Sequence, residues 1–372
     1  MKVAILSKAL VVGTYQRKLE LLAGAPDVEL VAVVPPYWRE PGAWTLPLEK
    51  AYLRGYRLLV HPIALNGHFH LYYWPGLGRL LRQERPDVLH VDEESFNLAT
   101  FQAVRLGVRL GARCLFFNWA NLDRRLPPPF SWLERYNLSH AVYAVAGNQD
   151  AAGILRRKGY QGPLRVIPQF GVDAELFRPG PHPTPRQGER GEGLTVGYVG
   201  RLVAQKGVLD LLEALAGLPA TVRLRVVGTG ALEPRLRQRA VELDLGDRIE
   251  FAGRLPSSAL PDLYRSLDVL VVPSRTTPNW KEQFGRVLVE AMSCGVAVVG
   301  SDSGEIPHVV GGAGLIFPEG DLPALQERLR RLLENPALRE DLGRRGRERV
   351  LSHYSQERVA QAYLEVYREM LR

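Results

Sequence analysis

Two glutamates separated by seven residues, Glu282 and Glu290, stand in the run Trp280-Lys281-Glu282-Gln283-Phe284-Gly285-Arg286-Val287-Leu288-Val289-Glu290-Ala291-Met292. The apolar pattern starts a helix near Phe284, which leaves Glu282 in the preceding loop and puts Glu290 about two turns down. Val287, Leu288, Val289 and Ala291 make that helix apolar nearly all round, so Glu290 is expected to be buried and to need partners. A carboxylate accepts two hydroxyls at once, which suits ribose and sugar rings. The competing explanation is plain helix chemistry, an acid favoured near a helix start by the dipole plus one exposed acid within the helix. Upstream, Gly200-Arg201-Leu202-Val203-Ala204-Gln205-Lys206-Gly207 follows an apolar run at 194–199 and opens a helical pattern. Gly200 permits a tight strand-to-helix turn, and Arg201 and Lys206 bring two cations beside helix N–H groups, a combination that suits a diphosphate. Lys206 stands out because the chain uses 41 arginines and only 7 lysines.

The elements that must hold these groups follow from periodicity. Continuous Val/Leu/Ile runs at 3–6, 28–34, 57–63, 88–91, 114–117, 142–146 and 164–167 alternate with helical stretches such as 96–110. The stretch 178–188, with four prolines and two glycines, has linker chemistry. Alternation then restarts, with strands expected at 194–199, 223–227, 249–251, 269–272, 297–299 and 315–317 and helices at 204–216, 231–243, 285–293 and 321–334. The end, 357–371, is amphipathic, with Val359, Tyr363, Val366, Tyr367 and Met370 on one face. Apolar strands separated by helices indicate parallel sheets covered on both faces. Two doubly wound α/β domains are expected, at 1–180 and 193–352, joined by a linker at 181–192, with 353–372 as a terminal helix returning to the first domain. Ligands of such sheets sit outside the carboxyl ends of the strands, and the cleft between the two domains is the expected site.

The 372 residues are 46% apolar and 24% charged, ordinary for a globular protein, and no apolar run reaches membrane-spanning length. The opening Met1-Lys2-Val3-Ala4-Ile5-Leu6-Ser7-Lys8 reads as a strand, not a signal peptide. Cys114 and Cys294 are too far apart in sequence to suggest a framework, so a cytoplasmic protein is expected. Missing motifs narrow the chemistry. No Gly-x-Gly-x-x-Gly follows a strand and no Walker A sequence occurs, which disfavours dehydrogenases and P-loop enzymes. Gly300-Ser301-Asp302-Ser303-Gly304 has Asp where a serine hydrolase needs its nucleophile.

With these residues assembled, the sequence resembles a retaining glycosyltransferase of the GT-B fold, family 4 (glycosyl transferases group 1), over essentially its whole length. The motifs that carry the likeness are Gly200-Arg201-Leu202 with Lys206-Gly207, the pair Glu282 and Glu290, Phe284-Gly285, Glu290-Ala291-Met292, and Gly304-Glu305-Ile306-Pro307 with Gly314. The resemblance implies two Rossmann-like domains facing across a cleft, with the terminal helix crossing back to the first. It implies that Arg201 and Lys206 bind the donor diphosphate, that Glu290 holds ribose hydroxyls and that Glu282 holds those of the donor sugar. Gly200, Phe284 and Gly285 would contribute nearby, Arg254 and Leu255 would contact the base, and Gly13 would approach the donor phosphate from the first domain. Where many relatives carry a histidine, this chain reads Asn118-Trp119-Ala120-Asn121, so Asn118 and Asn121 are left to hydrogen-bond sugar or acceptor. Asp92, Glu93 and Glu94, just past the strand at 88–91, are placed to orient or deprotonate an acceptor hydroxyl; the alternative is a charged strand end.

The activity so implied is transfer of a sugar from a UDP- or GDP-sugar to a hydroxyl acceptor, in glycolipid, cell-envelope or polysaccharide synthesis. No Asp-x-Asp triplet appears and the cations suffice for the leaving group, so no cofactor and no essential metal are expected. A nucleotide-sugar 2-epimerase of the same fold, or a non-catalytic nucleotide-sugar-binding protein, are the alternatives. Residues 1–190 carry 24 Lys and Arg against 16 Asp and Glu, whereas the remainder balances at 24 against 24. That basic half, with Arg124-Arg125, Arg156-Arg157-Lys158, Trp38, Trp44 and Tyr72-Tyr73-Trp74, suggests peripheral contact with an anionic membrane or a lipid-linked acceptor. Biased composition toward arginine explains the charge equally well. No nucleic-acid recognition motif is present.

Overall fold

The computed structural model describes residues 1–40, 45–180 and 193–372. The chain divides into two compact units, one formed by Met1–Gly171 with Gln356–Arg372 and the other by Val172–Ser355. The linker expected at 181–192 lies outside the described residues.

The first unit holds a parallel sheet of seven strands in the order Arg57–Val60, Glu29–Val34, Lys2–Leu6, Val88–Val91, Arg113–Asn118, Tyr143–Ala146, Leu164–Val166. The central strands Lys2–Leu6 and Val88–Val91 pair in parallel, and Val3, Ala4 and Ile5 are fully buried, because helices cover both faces and no residue of a central strand has solvent to face. A short antiparallel pair, Tyr37–Arg39 with Thr45–Pro47, stands apart from this sheet.

The helix Gln356–Leu371 belongs to the first unit. It buries Val359, Ala360, Tyr363, Leu364, Val366, Tyr367 and Met370 in the same core as the strands Lys2–Leu6 and Val88–Val91. Burial of each large side chain contributes roughly 1.5–3 kcal/mol, so this helix is integral to the unit. Beneath it His90 is fully buried, hydrogen-bonded through Nδ1 to the Tyr367 hydroxyl at 2.7 Å and stacked on Tyr363.

The second unit holds six parallel strands in the order Ile249–Gly253, Val222–Val227, Leu194–Val199, Val269–Val272, Ala297–Ser301, Leu315–Phe317. Its start differs from the boundary expected at 180. Val172 N donates to Tyr354 O at 2.8 Å, Phe177 is buried in this unit's core, and Ser293 Oγ donates to the Phe177 carbonyl at 2.5 Å, so residues 172–180 are built into the second unit. The helix expected over 204–216 is also divided. Gly207 has φ +66 and a Cβ there would lie 1.8 Å from the Pro273 carbonyl, so the chain makes a short turn, Ala204–Lys206, before the helix Val208–Ala216.

Burial holds the His90 imidazole at about 3, well below its usual value, with Asp92 opposing and Lys18 adding to the effect. An unfolded histidine protonates near 6.5, so the stability that neutral His90 contributes is complete above that pH and is lost as pH falls from about 6.5 toward about 3. Urea unfolding at pH 7 and pH 5 should show this. The loss on acidification should shrink by about 2 kcal/mol in His90→Gln; an unchanged difference would mean that the imidazole is not held neutral.

Candidate active site

In the second unit the loops beyond the carboxyl ends of the strands converge on Glu282. The carboxylate is 7% exposed, and its Oε2 accepts hydrogen bonds from Lys206 Nζ at 2.6 Å and Ser274 Oγ at 2.8 Å. The Lys206 ammonium also lies 4.8 Å from the ring centre of Trp280. The geometry around Glu282 is fixed by backbone. Gly304 has φ +55, and a Cβ on it would come within 2.1 Å of the Glu282 carbonyl, which accepts from Glu305 N at 3.1 Å. Ser301 Oγ donates to Ser274 O at 2.6 Å and so orients the serine that meets the carboxylate. The Gly304-Glu305 motif thus acts by letting two loops touch.

Arg275 joins the remaining loops. Its Nε and its second guanidinium nitrogen donate to the two oxygens of Asp210 at 2.5 and 2.7 Å, and its backbone N–H donates to Gln205 O at 2.8 Å. Asp210 and Arg275 were not singled out from the sequence. The signal was available for Asp210, an acid inside the apolar run Val208-Leu209-Asp210-Leu211-Leu212, the same pattern that marked Glu290.

Glu290 lies on the helix Arg286–Ser293 and is 3% exposed. Arg286 Nε donates to its Oε1 at 2.7 Å and the Tyr264 hydroxyl to its Oε2 at 2.8 Å. Each oxygen retains a second lone pair, so the carboxylate can accept further donors without displacing these. Gly285 is buried with φ +76 just before this helix, and Phe284 packs edge-on against Tyr354. Arg201 is exposed, and its backbone is pinned by the Tyr198 hydroxyl, which donates to Arg201 O at 2.8 Å. Gly200 links that residue to the strand Leu194–Val199, whereas Arg254 and Leu255 follow the edge strand Ile249–Gly253.

In the first unit Asp92, Glu93 and Glu94 follow Val88–Val91 and line a cavity of about 310 Å³, together with Lys8, Phe69 and Trp119. Ser7 Oγ donates to Asp92 Oδ2 at 2.8 Å, and Lys8 Nζ is bonded to Glu93. Lys8 Nζ also faces Phe69, Tyr72 and Trp38 at 4.3, 5.3 and 5.4 Å from their ring centres, contacts worth roughly 0.5–2 kcal/mol each. Glu94 accepts the N–H groups of Trp119 at 3.0 Å and Ala120 at 3.4 Å. Burial raises its carboxyl to about 7, further aided by Glu93 and opposed by those N–H groups and Lys8.

Three expectations for this unit change. Gly13, expected to approach a donor phosphate, has its N–H donating to Glu49 Oε2 at 2.7 Å, because residues 45–51 fold over the turn Gly13–Gln16 and supply a carboxylate there. Asn118 is 2% exposed and its Oδ1 accepts from Ser95 N at 3.0 Å, so it braces the loop after the acids; neither it nor the buried Asn121 lines the cavity. Of the aromatic group expected at a surface, Tyr73 is exposed, whereas Trp38, Tyr72 and Trp74 are each 3% exposed or less, because they complete the core and the rings of Trp38 and Tyr72 face Lys8. Trp44 lies outside the described residues. The basic run that ends the helix Gln149–Arg157 has partners nearby: Arg157 pairs with Asp123 and Lys158 with Glu134, at 3.0 and 2.9 Å.

Comparison with known proteins decides the family. Residues 25–176 match the family model described as Glycosyltransferase Family 4, and residues 184–349 match Glycosyl transferases group 1. The chain belongs to the GT-B glycosyltransferases. Among curated relatives of this glycosyltransferase, the D-inositol 3-phosphate glycosyltransferase of Saccharomonospora viridis is 34% identical, over 54% of this chain and 49% of that protein. The 2-deoxystreptamine N-acetyl-D-glucosaminyltransferase of Streptomyces fradiae is 36% identical, over 43% of this chain and 41% of its own. The matched regions thus span about half the length of these relatives. Among solved structures, sucrose-phosphate synthase from Thermosynechococcus elongatus superimposes with a TM-score of 0.75 at 23% identity, covering 100% of this chain and 99% of that one. Anabaena HepE in complex with UDP gives a TM-score of 0.74 at 18% identity, with 99% and 100% covered. These likenesses establish the GT-B fold.

The Lys206–Glu282 pair should be mutually dependent. Because both side chains are largely buried, Lys206→Met or Glu282→Gln alone should destabilise the protein by about 1–3 kcal/mol, and the double variant by clearly less than their sum. Additive losses in urea unfolding would show that the two groups do not interact.

Proposed function

We propose that this glycosyltransferase is a retaining, metal-independent enzyme that moves a sugar from a UDP- or GDP-sugar to an acceptor hydroxyl. The observation that carries the reading is the joining of Lys206, Ser274 and Glu282 at the carboxyl ends of the parallel strands, with Glu290 buried on the next helix. As the sugar–phosphate bond breaks, negative charge grows on the diphosphate. Lys206 has three N–H donors and spends one on Glu282, so it can meet a phosphate oxygen without giving up that carboxylate. Exposed Arg201 supplies a second cation, and charge stabilisation of this kind is usually the largest single contribution to such a step. Glu282 holds hydroxyls of the donor sugar, and Glu290 those of the ribose. Asp92, Glu93 and Glu94 serve an acceptor, and their cavity favours transfer over 2-epimerisation, which has no acceptor.

The named reactions of the two relatives above have different acceptors, one a cyclitol phosphate and the other an aminocyclitol, so the acceptor must be argued from this chain itself. Among the described residues no helix is long and apolar enough to cross a membrane.

Isothermal titration should show that UDP or GDP binds and that Lys206→Ala weakens binding by roughly tenfold or more, the loss of one charge-assisted contact. If neither diphosphate binds at millimolar concentration, the donor assignment falls. Glu282→Ala should lower turnover far more than nucleotide affinity; equal losses would place Glu282 on the nucleotide or in folding. Activity should survive chelation by EDTA, and its abolition would overturn the metal-independent reading.

A further inference from the structure

The cavity of the first unit constrains the charge of whatever enters it. We propose that it takes a polyhydroxylated ring bearing no anionic group, a sugar or cyclitol, and discriminates against phosphorylated, sulfated or carboxylated rings. The inference deepens the transferase reading above and rests on it for the word acceptor.

Three carboxylates, Asp92, Glu93 and Glu94, line the space, with exposed Glu40 at its edge. Among the described lining residues Lys8 is the one lysine or arginine, and it is committed. Its ammonium is bonded to Glu93, whose charge it offsets, and faces the rings of Phe69, Tyr72 and Trp38, so the carboxylates of the lining outnumber its positive charge. Nearby Lys18 is 1% exposed, donates to Gln169 O at 2.8 Å and lies over Tyr363 and Phe170, where burial lowers its pKa. His90 is held neutral. An anion would therefore meet a net negative lining in a partly dehydrated space, where repulsion is strong.

A neutral ring meets the opposite situation. Asp92 is 2% exposed, and its Oδ1 accepts no hydrogen bond; His90 Nε2, also without a hydrogen-bond partner, stands 3.9 Å away, too far for a direct bond. That oxygen faces the buried His90 layer, and the carboxylate it belongs to adds a fixed negative charge to the lining. Glu94 is oriented by the Trp119 and Ala120 N–H groups and keeps lone pairs for ring hydroxyls. The rings of Phe69 and Trp119 offer apolar faces to the C–H side of a pyranose or cyclitol.

The test is binding without donor, followed by saturation-transfer NMR with glucose, glucosamine and myo-inositol against glucose 6-sulfate, whose charge is constant across the pH range. A neutral or amino-bearing ring should bind at least tenfold tighter than the sulfate at pH 8. The preference should weaken severalfold at pH 6, as Glu94 protonates through about 7 beside Glu93 and Lys8. Glu94→Gln, checked by circular dichroism, should lessen the preference at pH 8; the wild-type pH comparison stands by itself if that variant does not fold. Equal or tighter binding of the sulfate, or no binding by any ring at about 100 mM, would overturn the proposal. UDP and GDP titration of the same sample separates the two readings: ring preference without nucleotide binding sinks the transferase reading alone, and nucleotide binding with sulfate preference sinks this one.

Discussion

A carboxylate removed from water must be given donors, and Glu282 shows how far that requirement reaches. Its partners, Lys206 and Ser274, come from loops after two different strands, Leu194–Val199 and Val269–Val272. For those side chains to meet on one oxygen, backbones must approach more closely than any side chain allows. Gly207 against the Pro273 carbonyl and Gly304 against the Glu282 carbonyl are the two contacts that make this possible. The Arg275 backbone N–H then ties residue 275 to Gln205 in the turn that carries Lys206, and its guanidinium ties it to Asp210 on the helix that follows. A cation and a carboxylate are thereby held in register, which is the preorganisation that the proposed charge stabilisation requires.

The first unit meets the same physical demand with different means. Its acids sit over a buried polar layer in which His90, Lys18, Tyr363 and Tyr367 lie between the sheet and the helix Gln356–Leu371. The last helix of the chain therefore bears on the environment of Asp92, although more than 250 residues separate them in sequence. Lys8 is enclosed by aromatic rings and Glu93, so the unit that carries the net positive charge of the chain presents an acidic cavity. Net charge describes a surface average, and side-chain pairing determines the field at a particular point.

Much of the architecture was legible because both sheets are parallel and covered on both faces, which writes each strand as a continuous apolar run. Val88–Val91, Leu194–Val199, Val269–Val272 and Leu315–Phe317 coincide with their expected spans. The hairpin Tyr37–Arg39 with Thr45–Pro47 was not legible, since three-residue strands carry no periodicity to detect. The helix Pro336–His353 escaped for another reason. Its buried face includes Gly343 and Gly346, and a Cβ at Gly343 would lie 2.1 Å from the Gly295 carbonyl, so close packing of backbone replaces the apolar stripe.

What the sequence determined by itself were residue types whose chemistry is independent of distant neighbours. An acid inside an apolar helix must be buried and partnered, as Glu290 is, and a lysine in a chain that mostly uses arginine marks a cation with a specific partner, as Lys206 has in Glu282. The tertiary structure decided which partner each polar group found. Gly13 is the plainest case: the family resemblance implied only that it would approach a phosphate, and its N–H is reached by Glu49, 36 residues away. The same holds for Asn118, whose oxygen goes to Ser95 N, and for Trp38 and Tyr72, whose rings face Lys8 and not solvent. Hydrogen bonds and ion pairs act over a few ångströms in space and are blind to separation along the chain, so no local pattern could have revealed them.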